Sequence, residues 1–118
     1  MTDITIDAYI AKQRKLYDDT RTNSTRGSAA LVLANMALQH DSDSAHAAAS
    51  LLLSMESCKA FDFRLLLKFD PKHRAYADTV VQGYVPHEIW PSKWIDEEGG
   101  DGETLMRQLS DKWPSEAI

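Results

Sequence analysis

Cysteine is almost absent from this sequence of 118 residues, since Cys58 is the only one. A disulfide within the chain therefore cannot form, and a domain without such crosslinks fits a reducing compartment. The first residues also lack a basic region followed by an apolar stretch, so they do not have the pattern of a secretory signal. We therefore expect a cytoplasmic protein.

Long apolar runs are missing as well. The longest ones, residues 29–34 and 51–53, are far shorter than the roughly 20 residues that a membrane-spanning helix needs. An apolar content of 43% with 26% charged residues is nevertheless ordinary for a globular protein and too apolar for a disordered one. The length fits one domain, so we expect a single domain over residues 1–118 with no membrane contact.

Catalytic and nucleotide-binding motifs are also missing. The glycines form neither a phosphate-binding loop nor a dinucleotide fingerprint, and no serine lies in a nucleophile elbow. The acidic run at residues 96–103 does not have the ligand spacing of a calcium-binding loop. These observations favour a protein that is not an enzyme and uses no cofactor.

The charge is acidic overall and unevenly distributed. The net charge is -5, and residues 87–118 hold three bases against eight acids, whereas residues 1–26 hold five bases against four acids. A nucleic-acid-binding protein usually carries a basic stripe, because phosphate contacts supply most of its non-specific affinity. The N-terminal cluster is the one candidate for such a stripe, and as an alternative function we consider a nucleic-acid-binding regulator that uses it: Lys12, Arg14, Lys15, Arg21 and Arg26.

The spacing of apolar residues predicts helices throughout the first half. A first amphipathic helix is predicted over residues 6–20 with Thr5 or Asp3 as N-cap, followed by a polar loop over residues 20–27. We expect residues 1–25 to be peripheral to the domain. Two helices rich in alanine and leucine follow, Ser28 to Gln39 and Ser44 to Glu56, and their short connection predicts an antiparallel core hairpin.

Turn residues divide the second half. Residues 61–69 are either a short helix capped by Asp62 or a buried strand, and we favour the helix. Asp70-Pro71 predicts the start of another helix, which would end at Gly83 in the left-handed conformation. Residues 84–102 contain two prolines and three glycines and are predicted to be irregular, and a last helix is predicted from about Gly102 to Trp113.

The sequence therefore predicts an all-α fold. It would be a compact bundle of about five to six short helices, with an irregular segment containing proline and tryptophan before the last helix.

That irregular segment has the composition of a binding surface. Its aromatic residues are either a lid that packs on the core or an exposed anchor, and tryptophan and tyrosine dominate the energetics of protein interfaces. The candidate partner-binding residues are Tyr84, His87, Trp90 and Trp94, together with Asp96, Glu97 and Glu98.

A second alternative is a metal-dependent enzyme. Imidazoles and carboxylates lie within seven residues at His40, Asp41, Asp43 and His46, and they are legitimate ligands for zinc or iron. Helix capping already explains both aspartates, and no paired-histidine spacing supports the site. We therefore assign no metal-binding residues.

A pattern of apolar and turn residues runs through the second half. It comprises Phe61-Asp62-Phe63, Leu65, Asp70, the helix to Val81, a link with glycine, Leu105, Leu109 and Trp113-Pro114. Together with Arg26-Gly27-Ser28, it resembles an uncharacterised family of small bacterial and phage proteins over residues 26–116, with Pro86 to Lys93 as an insertion. The resemblance implies no known activity and no site residues, but it implies a gene carried by bacteria and mobile elements.

We therefore expect a non-enzymatic protein-interaction module. A bacterial or phage accessory protein that binds and modulates a host protein complex, for example an inhibitor of nucleic-acid-based defence such as an anti-CRISPR, fits the small size and the acidic balance. A homodimer is left open.

Overall fold

Helices form nearly all of the regular structure. The computed structural model describes residues 2–114, with side chains from residue 5 onward. Within these residues the elements are α1 (Thr2–Thr22), α2 (Arg26–Gln39), α3 (Asp43–Ser57), a 3-10 helix (Phe63–Lys68), α4 (Pro71–Gly83), α5 (Pro91–Glu97) and α6 (Gly102–Lys112). No strand is found in this part of the chain, so the all-α prediction is confirmed. Residues 1 and 115–118 of the predicted domain, which include the last two residues of the family resemblance, lie outside the described residues.

Helix α2 lies at the centre of the bundle, because its side chains are small and apolar on several sides. It packs against α3, α4, α5 and α6. Its alanines are completely buried and let the neighbouring backbones approach closely: Ala29, Ala30, Ala34 and Ala37. Among the described residues, helix α1 packs mainly against α4.

Lys112 fastens the end of α6 to the end of α2. Its ammonium group donates hydrogen bonds to the carbonyl oxygens of Ala37, Leu38 and His40 at 2.9, 3.0 and 2.6 Å. It also lies 3.0 Å from the carboxylate of Asp41. The last carbonyls of a helix have no partner within the helix, so Lys112 satisfies groups that α2 cannot satisfy itself.

The local cap predictions are confirmed at the 3-10 helix and α4 and wrong at α1, and α2 begins two residues before its predicted start. Asp62 caps the 3-10 helix, and Asp70 caps α4 by accepting the His73 backbone N–H at 2.8 Å. Helix α1 instead begins at Thr2, so the predicted caps at residues 3 and 5 lie inside it. Helix α2 begins at Arg26, because Thr25 is its N-cap and Ser28 completes a capping box.

The predicted irregular segment at residues 84–102 contains α5, so this prediction is wrong for Pro91–Glu97. Proline is favourable in the first turn of a helix, where its missing N–H has no partner to lose. The acceptor that caps this helix is distant in sequence: the Glu56 carboxylate accepts the backbone N–H of Ser92 at 3.0 Å and its hydroxyl at 2.7 Å. No local residue pattern could indicate this cap.

The left-handed conformation predicted for Gly83 is also wrong. Gly83 is the last residue of α4, and the only glycine of the described chain with a positive φ is Gly99. Gly83 has another role, since a Cβ atom there would collide with the side chain of Arg26.

Gly27 permits the close contact between α2 and α5. A Cβ atom at this position would collide with the carbonyl oxygen of Trp94, which is backbone and cannot swing away. At Gly99, by contrast, a Cβ atom would meet nothing within 4 Å, although φ is 84° there.

We therefore expect Gly27→Ala to lower the free energy of unfolding by more than about 2 kcal/mol, because two helices must separate. Gly99→Ala is the matched control and should cost only about 1 kcal/mol for left-handed strain. Urea unfolding followed by circular dichroism measures both values. Equal losses in the two variants would contradict the close packing of α2 on α5.

Candidate partner-binding surface

A tight turn projects from the bundle between α4 and α5. The backbone N–H of Glu88 donates to the carbonyl oxygen of Val85 at 3.0 Å, with Pro86 and His87 at the two central positions. His87 has φ of 71°, in the left-handed region that favours glycine. Proline first and a positive φ second are the features of a type II turn. The turn therefore holds a non-glycine residue in a strained conformation at an exposed position.

Arg26 holds this turn against the bundle. Its guanidinium donates to the Gly83 carbonyl oxygen at 3.2 Å and to the Glu88 carboxylate at 2.7 Å. The same group lies 5.0 Å from the centre of the Trp94 ring and 3.8 Å from the Glu97 carboxylate. One cation thus joins the end of α4, the turn and α5, and it presents the turn in a defined orientation.

Large apolar side chains are exposed around this turn and on the neighbouring 3-10 helix. We call them the aromatic surface: Phe63, Val81, Tyr84, Val85 and Trp90. Phe63 is 72% exposed and Trp90 is 46% exposed. Three of the five also line a pocket of about 290 Å³ with Leu51, Met55, Phe61, Ser54 and Lys59. Exposed apolar side chains that line a shared pocket often mark interaction sites on proteins.

The two tryptophans of the segment have opposite environments. Trp94 is 1% exposed and belongs to the hydrophobic core, whereas Trp90 faces solvent. Trp94, a candidate partner-binding residue, therefore packs in the core as the lid alternative predicts, because the inward side of α5 carries it there. Tyr84, His87 and Trp90 are all exposed at the turn. Trp94 thus packs this segment on the core, whereas Trp90 is an exposed side chain of the same segment.

The three acidic residues of the predicted site make contacts within the chain. Asp96 accepts the backbone N–H of Gly102 at 2.8 Å, and Glu98 accepts the hydroxyl of Thr25 at 2.6 Å. Glu97 is the residue near Arg26 described above. Asp96, Glu97 and Glu98 are exposed, but their side chains also connect α5 with α2 and α6.

The basic N-terminal cluster is divided by the fold. Lys12, Arg14 and Lys15 are exposed on α1, and Lys15 pairs with Asp19 one turn later at 2.9 Å. Arg21 donates to the Tyr17 hydroxyl at 3.1 Å and to the side chain of Gln82, and Arg26 holds the turn. Two of the five cations predicted to contact nucleic acid are therefore engaged in contacts between helices.

The histidines considered as metal ligands have separate surroundings. His46 packs against the Trp113 ring, with 5.5 Å between ring centres, and His40 is exposed just after α2. His40 lines an open cleft of about 540 Å³ whose walls include Asn35, Gln39, Asp70 and His73. Among the described residues, no group of three or more histidine, cysteine, aspartate or glutamate side chains is placed to hold a metal ion.

The carboxyl of Asp70, at the rim of that cleft, has a lowered pKa. Burial raises the pKa of its carboxyl, but the backbone N–H and the imidazole of His73 lower it by more, so the pKa lies below its ordinary value. The imidazole Nδ1 lies 2.9 Å from the carboxylate. Asp70 thus caps α4 best when it is ionised.

Sequence reasoning missed Phe63, Val81 and the structural role of Arg26. Phe63 lies in the short apolar run for which a helix is favoured over a buried strand, and nothing in that run indicates which of its side chains are exposed. No sequence signal indicated that Arg26 would meet Glu88, because the two residues are 62 positions apart.

Comparisons with models of protein families, with curated proteins and with solved structures found no match for this chain. The resemblance to a family of small bacterial and phage proteins therefore stays a prediction. No helix in the described part of the chain is long and apolar enough to cross a membrane.

We expect His87→Gly to raise the free energy of unfolding by roughly 0.5 to 1 kcal/mol, because glycine adopts a positive φ without strain. His87→Ala keeps the strain and should change stability by less than about 0.5 kcal/mol. Thermal unfolding of the three proteins side by side tests this. If His87→Ala raised the free energy of unfolding, the histidine side chain rather than the backbone conformation would be the cause of the lower stability of the wild type.

We expect Asp70→Asn to be slightly less stable than the wild type at pH 7, by a few tenths of a kcal/mol, because asparagine keeps the cap but loses the charged contact of an exposed carboxylate with His73. A carboxyl whose folded pKa is lowered contributes stability above its unfolded pKa and loses it as the pH falls through the folded pKa. The difference from wild type should therefore shrink below about pH 4. Asp70→Ser also keeps an N-cap but has no carboxyl to ionise. The difference in stability between the Asp70→Ser and Asp70→Asn variants should therefore not depend on pH. Urea unfolding between pH 7 and pH 3 provides the measurement.

Proposed function

We propose that this protein is a non-enzymatic interaction module that binds a protein partner through the aromatic surface. The observation that carries the proposal is an apolar pocket lined by the exposed side chains of Phe63, Val81 and Tyr84, with Trp90 also exposed further along the same segment. Exposed large aromatic side chains lose contact with water when a partner covers them, and tryptophan and tyrosine are enriched among the residues that contribute most to binding.

Two further features support this proposal. The turn is held by Arg26 through charged hydrogen bonds to two elements, so little conformational freedom is lost when a partner binds. His87 keeps a strained backbone where glycine would be unstrained, and such strain often persists at sites under functional constraint. A side chain at this position would then contribute to recognition, which glycine could not do.

The class of partner is inferred from composition and resemblance. We propose an accessory protein of bacterial or phage origin that binds and modulates a host protein complex in the cytoplasm. An inhibitor of nucleic-acid-based defence, such as an anti-CRISPR, is the example that a small acidic chain fits best. The net charge of -5 disfavours binding of the protein to the phosphate backbone of a nucleic acid.

Affinity capture from a bacterial lysate with quantitative mass spectrometry tests the proposal. The wild type should recover one protein complex, and Trp90→Ala and Tyr84→Ala should each reduce its recovery at least tenfold, the effect of losing about 1.4 kcal/mol or more. Tyr9→Ala is the matched control, because Tyr9 is 64% exposed on α1 and lies beside the other end of α4. Its recovery should equal that of the wild type.

Two results would contradict the proposal. One is recovery of the same proteins by all four forms, which would place the contact elsewhere. The other is recovery of nucleic acid that disappears steeply as salt rises and that depends on Lys12 and Arg14 rather than on Trp90. That result would favour the nucleic-acid-binding alternative.

A further inference from the structure

The end of α2 surrounds a single positive charge, the ammonium group of Lys112. Four oxygen atoms lie within 3.0 Å of its nitrogen, namely the carbonyl oxygens of Ala37, Leu38 and His40 and a carboxylate oxygen of Asp41. The Trp113 ring also faces this nitrogen, with the ring centre 5.3 Å away. Several oxygens that converge on one point, beside an aromatic ring, form the kind of environment in which proteins bind cations.

All of these oxygens carry negative charge. Ala37 and Leu38 lie in the last turn of α2, where the carbonyl groups have no partner within the helix and form the negative end of its dipole. Asp41 adds a full negative charge just beyond the helix. Helix α6 also ends at Lys112, so the negative end of a second helix lies close by. The arrangement therefore favours a positive charge between these oxygens.

The distances between the nitrogen and the oxygens indicate which cations fit. They range from 2.6 to 3.0 Å. Contacts of oxygen with calcium are shorter, about 2.3–2.6 Å, and those with magnesium are about 2.0–2.1 Å. A potassium ion has nearly the same size as an ammonium ion, and backbone carbonyl oxygens replace its hydration shell in ion channels. The spacing therefore suits a monovalent cation of the size of ammonium or potassium.

We propose that the end of α2 is a binding site for a monovalent cation. In the wild type the tethered ammonium of Lys112 occupies it, and a free potassium or ammonium ion binds there when position 112 carries no amine. The tether makes binding of the Lys112 ammonium intramolecular, so free ions do not displace it in the wild type. None of these residues belongs to the aromatic surface, and the inference is therefore independent of the proposed function.

Lys112→Ala removes the amine and leaves space between the oxygens. The carbonyl oxygen of Ala37 keeps a donor in this variant, because it also accepts the indole N–H of Trp113 at 3.0 Å. Among the described residues, Lys112 is the only donor to the carbonyl oxygens of Leu38 and His40. These two oxygens and the Asp41 carboxylate therefore remain available to an ion.

Thermal unfolding of Lys112→Ala in different salts of equal ionic strength tests the proposal. The Tm should be about 4 °C higher in about 200 mM potassium chloride than in choline chloride, the shift expected for a dissociation constant of about 50 mM. Ammonium chloride should act like potassium chloride. Sodium chloride should give less than half of the shift, because the oxygens would have to move inward around a smaller ion. The wild type should have the same Tm in all four salts within about 1 °C.

Two variants serve as matched controls. Lys112→Met also lacks the amine, but its long unbranched side chain fills the space that an ion would take, so potassium should not raise its Tm above the value in choline. Lys15→Ala removes an exposed lysine that pairs with Asp19 at 2.9 Å outside any such site. Its Tm should likewise be the same in the two salts, because a lone surface carboxylate does not hold a potassium ion at this concentration.

Equal Tm values of Lys112→Ala in potassium and choline would overturn the proposal, because water would then satisfy the oxygens as well as an ion does. An equal potassium effect in Lys112→Met would overturn it too, since the effect would not come from this site. If Lys112→Ala is unfolded in choline chloride, circular dichroism should show that potassium restores its helices, and no recovery would count against the site in the same way.

Two further measurements locate the ion. Adding Asp41→Asn to Lys112→Ala removes the full negative charge and should reduce the potassium-dependent rise in Tm by at least half. Crystals of Lys112→Ala soaked in rubidium chloride should show an anomalous peak in contact with the carbonyl oxygens of Leu38 and His40, because rubidium has the charge of potassium and nearly its size. A peak elsewhere with none at this position would overturn the proposal.

Discussion

The close packing around α2 is the constraint on which the rest of the structure depends. A helix surrounded by four others must present small side chains, and α2 does so with buried alanines and with Gly27. Because Gly27 admits the backbone of α5, the neighbouring Arg26 reaches Trp94, Gly83 and Glu88 at once. The shape of the exposed turn is therefore a consequence of how closely two buried helices approach.

The segment before α6 combines stability and exposure in few residues. Its prolines separate a turn from a short helix, and the two tryptophans fall on opposite sides of that boundary. Trp94 contributes a large buried area to the core, while Trp90 precedes the helix and faces solvent. A substitution at Trp94 should therefore change stability, whereas a substitution at Trp90 should change the exposed surface with little effect on stability. The two effects can be measured separately.

Most of the fold was predictable because most of its signals are local. Asp70-Pro71 and the alanine-rich runs form the helices they predict, since the cap and the capped groups lie within one turn. Helix α5 was not predictable in the same way, because its cap is Glu56, 36 residues earlier. The candidate surface was only partly predictable: its aromatic composition is visible in the sequence, but burial, which separates Trp94 from Trp90, depends on contacts between distant elements.

The contact at the end of α2 also distinguishes between the two common basic side chains. An ammonium group carries its hydrogens in a tetrahedral arrangement, and Lys112 directs them to the carbonyl oxygens of Ala37, Leu38 and His40. A guanidinium is flat and spreads its hydrogens in one plane, so an arginine at position 112 would not reproduce this convergence. In any natural variant that has arginine here, α2 would have to be terminated in another way, although the charge is the same.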